Sequence, residues 1–351
     1  MSQRVVRYSR PNAELRGMIA RLLSAEQLQV LAASPELEGV LRALSDTPYR
    51  AGVTGILERG VTLAAAERAV LSSLVDAHRR AALLVQGGGV DLVLEMARRM
   101  ELDNLKAILR AKARGEPAEA VRPLLVPLGG LSDLPIEELL RAEDPEAVAR
   151  GLAQTEYDRV LLGTLPRYAT EHSLFPVEIA LDLHYYRQLW SVVQGLRGLD
   201  RRVVDRIMGI RYDALNVDWI IRYRLVYRLS PEEVFNYTLP YGRRIDDDDV
   251  RRAASSEGID GIAAALPDPY RALLLSVTRG PDPVGQAGVA LQRYLVAVAR
   301  SSLAGYPFHL GVAVAYLWLK ESEVHDLRAI MEGKHCDRPA DRIVERMWGA
   351  R

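Results

Sequence analysis

The chain has 351 residues, 49% of them hydrophobic and 26% charged, and its 46 Lys and Arg balance 46 Asp and Glu. This composition fits a soluble globular protein with a full core, and the zero net charge excludes the basic excess on which nucleic-acid binders depend. A single cysteine, Cys336, excludes an intrachain disulfide framework and fits a reducing compartment.

From the N-terminus, MSQRVVRYSRPNAEL lacks the apolar core of a signal peptide. Ser24-Ala25-Glu26-Gln27 has the form of a capping box, in which the hydroxyl accepts from an orphan amide and the third side chain reaches back. Leu28 and Leu31, then Leu37, Val40, Leu41 and Leu44, recur at helical spacing across a break at Ser34-Pro35. Tyr49 closes that stretch. Gly87-Gly88-Gly89 lacks the Lys-Ser/Thr ending of a phosphate loop and no strand precedes it, so it reads as a turn. Leu102, Leu105, Ile108 and Leu109 share one helical face, with Lys106 and Arg110 on another and Asn104 at the opening. Asp144-Pro145-Glu146 and Ser230-Pro231-Glu232-Glu233 place Pro where a helix can begin without its N–H. Asp246 to Asp249 is a run of four carboxylates. A magnesium-holding Asp-rich motif needs a third acid one turn beyond an adjacent pair, and those places are Val250 and Arg251, so the run reads as a helix start that favours the positive end of the dipole. The longest apolar run, Leu310 to Leu319, is ten residues, about half of what crosses a bilayer. It predicts a buried core helix. Period-two alternation is absent, so the fold class is all-α.

One pattern occurs three times. Tyr49, Tyr157 and Tyr270 each close a helical stretch and are followed 55, 59 and 56 residues later by a short helix opening at Asn104, Asn216 and Asp326. Aligned without a gap, 101–121 and 323–343 share seven of 21 residues, among them Leu105/Leu327, Ile108/Ile330, Lys112/Lys334 and Pro117/Pro339. NVDWIIRYR, starting at Asn216, is the middle copy, and Leu239-Pro240-Tyr241-Gly242 parallels Val126-Pro127-Leu128-Gly129 as the loop closing a unit. Repeats at a fixed period mean one supersecondary unit copied. The expected organisation is three similar helical-bundle units, 1–130, 131–243 and 244–351, in a pseudo-threefold, funnel-like arrangement.

Chemistry is sparse. The six histidines are scattered without zinc-type spacing, His335 and Cys336 diverge on a helix, and no base is placed to activate Cys336. No catalytic residue, cofactor site or metal site is read. Cations do recur opposite the apolar face of the repeated helix: Arg110, Lys112, Arg222, Arg224 and Lys334, with Glu332 breaking the series in the third copy. They are the candidate partner contacts, since arginine forks clamp carboxylates and helix ends.

NLKAILRAK from Asn104, NVDWIIRYR ahead of LSPEEVFNYTLPYG, and PFHLGVAVAYLWLKESEVHDLRAIMEGK resemble the C subunit of archaeal and bacterial A- and V-type ATP synthases, relatives of the eukaryotic vacuolar ATPase d subunit. The resemblance implies a non-catalytic rotor subunit of the central stalk. Its partners would be the central-shaft subunits and the membrane proteolipid ring, with no nucleic acid and no membrane span. It would lie on the cytoplasmic side, peripheral to the membrane through the ring. Two other readings stay open on the residues alone: an all-α repeat scaffold or adaptor unrelated to ATPases, and an all-α enzyme built on Asp246 to Asp249.

Overall fold

A computed structural model describes residues 3–349 and, among them, contains helices and no strand. A leading helix, α1 (Gln3–Ile19), precedes eighteen others that fall into three sets of six. The first set is α2 (Ala25–Ala33), α3 (Leu37–Leu44), α4 (Arg50–Arg59), α5 (Leu63–Leu84), α6 (Gly88–Ala113) and α7 (Ala118–Val121). The second is α8 (Ile136–Arg141), α9 (Pro145–Gly151), α10 (Asp158–Glu171), α11 (Phe175–Gly195), α12 (Gly198–Leu225) and α13 (Pro231–Asn236). The third is α14 (Asp247–Ser255), α15 (Gly258–Ala265), α16 (Tyr270–Leu275), α17 (Pro283–Ser302), α18 (Gly311–His335) and α19 (Ala340–Arg346). In each set the first four helices are followed by one of the three longest in the chain and then by a short one.

The local signals act where the sequence places them. Ser24 and Ser230 close reciprocal capping boxes with Gln27 and Glu233, and Asp144 caps α9 with Pro145 in its first turn. Asp246 caps α14 through the amide of Asp249, so the acidic run is a helix start. Every residue of Leu310 to Leu319 is buried, which makes the N-terminal half of α18 a core helix. No helix among the described residues is long and apolar enough to cross a membrane.

Two positions in the repeat differ from the sequence reading. Asn104, Asn216 and Asp326 do not open short helices but lie well inside α6, α12 and α18. Side chains of this kind favour helix starts because they compete for nearby backbone groups. Here they compete for the backbone of a distant loop instead, so the helix runs through them. The tyrosines also begin helices and do not end them: Tyr49 and Tyr157 stand at the N-cap positions of α4 and α10, and Tyr270 is the first residue of α16.

By internal contacts the chain divides into two compact units. Residues up to Glu36 and from Val193 onward form one, and Leu37–Val192 forms the other. Within the first, α2 packs on α18 and α19, and α14 packs on α12 and α13; within the second, α8 packs on α7. The opening helix of a set thus docks on the closing helices of another set, and the N-terminal α2 serves the C-terminal set.

Candidate functional site

Each long helix carries the same clasp. Asn104 donates from Nδ2 to the carbonyl of Val126 at 2.9 Å and accepts from its amide at 2.8 Å. Asn216 does the same with Leu239, at 2.8 and 2.9 Å. Asp326, which has no N–H to give, accepts instead from the amides of Trp348 and Gly349 at 2.6 and 2.8 Å. In each case the bonded loop lies 22 or 23 residues downstream. A buried side chain that satisfies both backbone groups of one loop residue, or in the third copy two successive amides, is the reason these loops return to the same place on their helices.

Three residues before each clasp stands an acid: Glu101, Asp213 and Glu323. Tyr157 donates its hydroxyl to Glu101 at 2.8 Å, and Tyr270 donates to Asp213 at 3.0 Å. Burial foremost, and then these carboxylates, push both phenols well above their ordinary value. Asp213 also accepts from the amides of Arg243, Arg244 and Ile245, although burial still pushes its carboxyl up. Glu323 accepts from Lys320 at 2.8 Å.

The five candidate cations do not share one environment. Lys112 is buried and its ammonium donates to the carbonyl of Leu140 at 2.7 Å. Arg224 donates to the carbonyl of Leu229, and its Nε is buried without a partner. Arg110 forms a two-pronged pair with Glu178 at 2.5 and 2.6 Å. Arg222 is exposed and pairs with Asp218 of its own helix at 2.8 Å. Lys334 is half-buried with no ion pair among the described residues. Lys106, off the apolar face with Arg110, is nonetheless buried and meets Asp182 at 2.5 Å. Burial lowers its ammonium against the pull of that carboxylate.

The helix pairs α6–α11 and α12–α17 place these groups differently. Between α6 and α11 runs a ladder of ion pairs, with Arg99 and Lys106 on Asp182 and Arg110 on Glu178. Between α12 and α17 the counterparts of Lys106 and Arg110 are Asp218 and Arg222. The residue facing them is Gly288, where an added Cβ would stand 3.2 Å from Asp218 Oδ1 and 3.6 Å from Arg222 Nη2. One turn on from Gly288, as Asp182 is one turn on from Glu178, stands Gln292. In place of the ladder is a cavity of about 600 Å³ whose lining includes Arg222, Arg338, Arg342, Arg346, His325 and Trp348. The last five escaped the sequence reading. Part of the signal was present: Arg342 and Arg346 are spaced by four, which puts them on one face of α19, while Arg338 lies just before its N-cap Pro339. Among the described residues no group of three or more His, Cys, Asp or Glu is placed to hold a metal ion.

Comparison with known proteins gives one consistent result. A family described as ATP synthase (C/AC39) subunit matches residues 11–346. The C subunit of the A-type ATP synthase of Methanocaldococcus jannaschii is 26% identical over 331 residues, covering 93% of this chain and 82% of its own length. Its counterpart in the A-type ATP synthase of Methanothermobacter thermautotrophicus is 27% identical over 97% of this chain and 87% of its own. The C subunit of the V-type ATP synthase of Deinococcus radiodurans is 27% identical over 96% and 90%.

Proposed function

Because this chain belongs to the ATP synthase (C/AC39) subunit family, we propose that it is a non-catalytic subunit of an A/V-type ATP synthase, a connector in the rotor that couples the central shaft to the membrane proteolipid ring. On this reading it transmits torque during ion-driven ATP synthesis or ATP-driven ion transport, and it sits on the cytoplasmic side, held to the membrane through the ring. Three helical units, 1–130, 131–243 and 244–351, in pseudo-threefold arrangement around an axis would suit that task.

The observation that carries the reading is the thrice-repeated clasp. A connector under torque needs helices whose ends cannot slide, and each long helix here is tied through Asn104, Asn216 or Asp326 to a loop 22 or 23 residues away. Of the candidate contacts, Arg110, Arg222 and Lys334 are the ones with side chains toward solvent, and we assign partner contact to these. Lys112 and Arg224 hold backbone carbonyls within the chain.

The test is depletion and reconstitution in membranes carrying the native complex. Removing this subunit should leave ATP hydrolysis by the catalytic portion intact while abolishing ATP-driven ion uptake, and adding it back should restore uptake. Pull-down should recover shaft and ring subunits. Uptake that persists without it, or recovery of unrelated soluble partners alone, overturns the reading.

A further inference from the structure

We propose that the cavity between α12, α17 and α18–α19 is a binding site for a phosphate-bearing anion. The inference does not depend on the coupling role.

Four arginines converge on this cavity of about 600 Å³. Two of its three acids pair with arginines of the same wall, Asp218 with Arg222 at 2.8 Å and Glu345 with Arg342 at 3.1 Å, and the third, Asp282, accepts from the amide of Gly285, where it caps α17, so the four arginines exceed the acids by one. Arg338 and Arg346 have no ion pair among the described residues, so the wall carries uncompensated positive charge. The equivalent helix pair in the other unit shows what makes room for the cavity. There Glu178 and Asp182 answer every cation they face, whereas at the corresponding places here stand Gly288 and Gln292. An absent side chain and a neutral amide stand where two carboxylates stand there, which leaves space, and Arg338, Arg342 and Arg346 bring positive charge to it.

Planar guanidinium forks match the oxygens of a phosphate, and several forks on one concavity favour a multivalent anion over a single carboxylate. The aromatic wall extends the fit. His325 stacks on Trp348 at 3.5 Å with the rings 10° apart, and Asp326 fixes the Trp348 backbone. A clamped indole at the edge of an arginine cluster offers a π-face to a base, so the chemistry suits tripolyphosphate and, more tightly, a nucleoside triphosphate.

Isothermal titration of the full chain with tripolyphosphate, ATP and adenosine, each at low and physiological salt, tests this. Tripolyphosphate and ATP should bind with an affinity that falls with salt, ATP the tighter, and adenosine should not bind detectably. Arg338→Gln with Arg346→Gln should weaken both anions by at least about tenfold. Gln292→Glu, which returns an acid to the wall, should weaken them severalfold. Arg59→Gln, a surface change on α4, should leave them unchanged, and circular dichroism should confirm that every variant is folded. Absence of binding by both anions, or affinities indifferent to the double substitution, overturns the proposal. Equal affinity for tripolyphosphate and ATP supports the anion site and overturns the role given to Trp348.

Discussion

The helix pairs α6–α11 and α12–α17 carry the same clasp and hold opposite solutions between their helices. Along α6–α11, Arg99, Lys106 and Arg110 meet Asp182 and Glu178, and every charge has an answer. Along α12–α17, Asp218 stands at the place of Lys106, Gly288 and Gln292 at those of the facing acids, and Arg222 pairs along its own helix. Beneath both, the clasp is unchanged: Asn104 and Asn216 hold a loop peptide with the same two bonds at nearly the same lengths. The backbone contacts that fix helix to loop are kept, while the side chains between helices are free to close a joint or open a cavity.

The strongest way to break this comparison is to remove the keystone of the closed pair. Asp182 serves Arg99 and Lys106 together, and Lys106 is buried. Asp182→Ala should cost about 3–5 kcal/mol in denaturant unfolding, because it strands a buried ammonium. Pairing it with Lys106→Met should recover most of that loss. A cost under about 1 kcal/mol would mean the ladder behaves as a surface pair, and the contrast with α12–α17 would lose its content.

How much of this was legible beforehand follows the range of each interaction. Caps at Ser24, Asp144 and Ser230, the break at Pro35 and the buried run at Leu310 are local, and the sequence displays them. The repeat was visible because the clasp constrains Asn104, Asn216 and Asp326 at fixed distance from their loops. Its geometry was not: an Asn before an apolar run looks like a helix start, and only the partner 22 residues away shows that the helix passes through it. The reading of Lys112 as a partner contact failed for the same reason. A lysine opposite an apolar stripe reads as solvated until Asp182 and the Leu140 carbonyl, contributed by later helices, cover it. The arginine cavity needs α12, α17 and α19 brought together, which no local window contains.

The clasp is the shared element, and it should cost the same in both places. Asn216→Ala and Asn104→Ala each remove two hydrogen bonds to a loop residue, buried at Leu239 and half-buried at Val126, so each should lower stability by about 2–3 kcal/mol. Unequal costs, with one above the other by more than about 1 kcal/mol, would show that the two joints differ in their foundation as well as their side chains.

A smaller effect separates the pairs by pH. Glu95 on α6 is buried, and its counterpart 112 residues on is the apolar Ile207 of α12. Burial, more than Arg98 can offset, raises the Glu95 carboxyl from 4.5 to about 6. Its folded value lies above its unfolded one, so the fold binds this proton more tightly. The contribution to stability is greatest below 4.5, declines as pH rises, and reaches its lowest level above about 6. Unfolding midpoints of wild type and Glu95→Gln between pH 4 and 7.5, taken as a difference, should show the wild type losing ground across that window. A flat difference would assign the pH dependence to other groups.

The least effect belongs to the outer rung. Arg110 is half-exposed, and its two bonds to Glu178 are well formed. Glu178→Gln should still cost only about 0–1 kcal/mol, since exposed pairs spend most of their attraction on ordering and screening, and the cost should shrink further in high salt. Set beside Asp182→Ala, this makes a gradient along a single helix pair, from a rung the fold requires to one it merely tolerates. The α12–α17 pair has Gly288 at that place and stands without an outer rung, so a large penalty for Glu178→Gln would mean that the two joints are stabilised by different means.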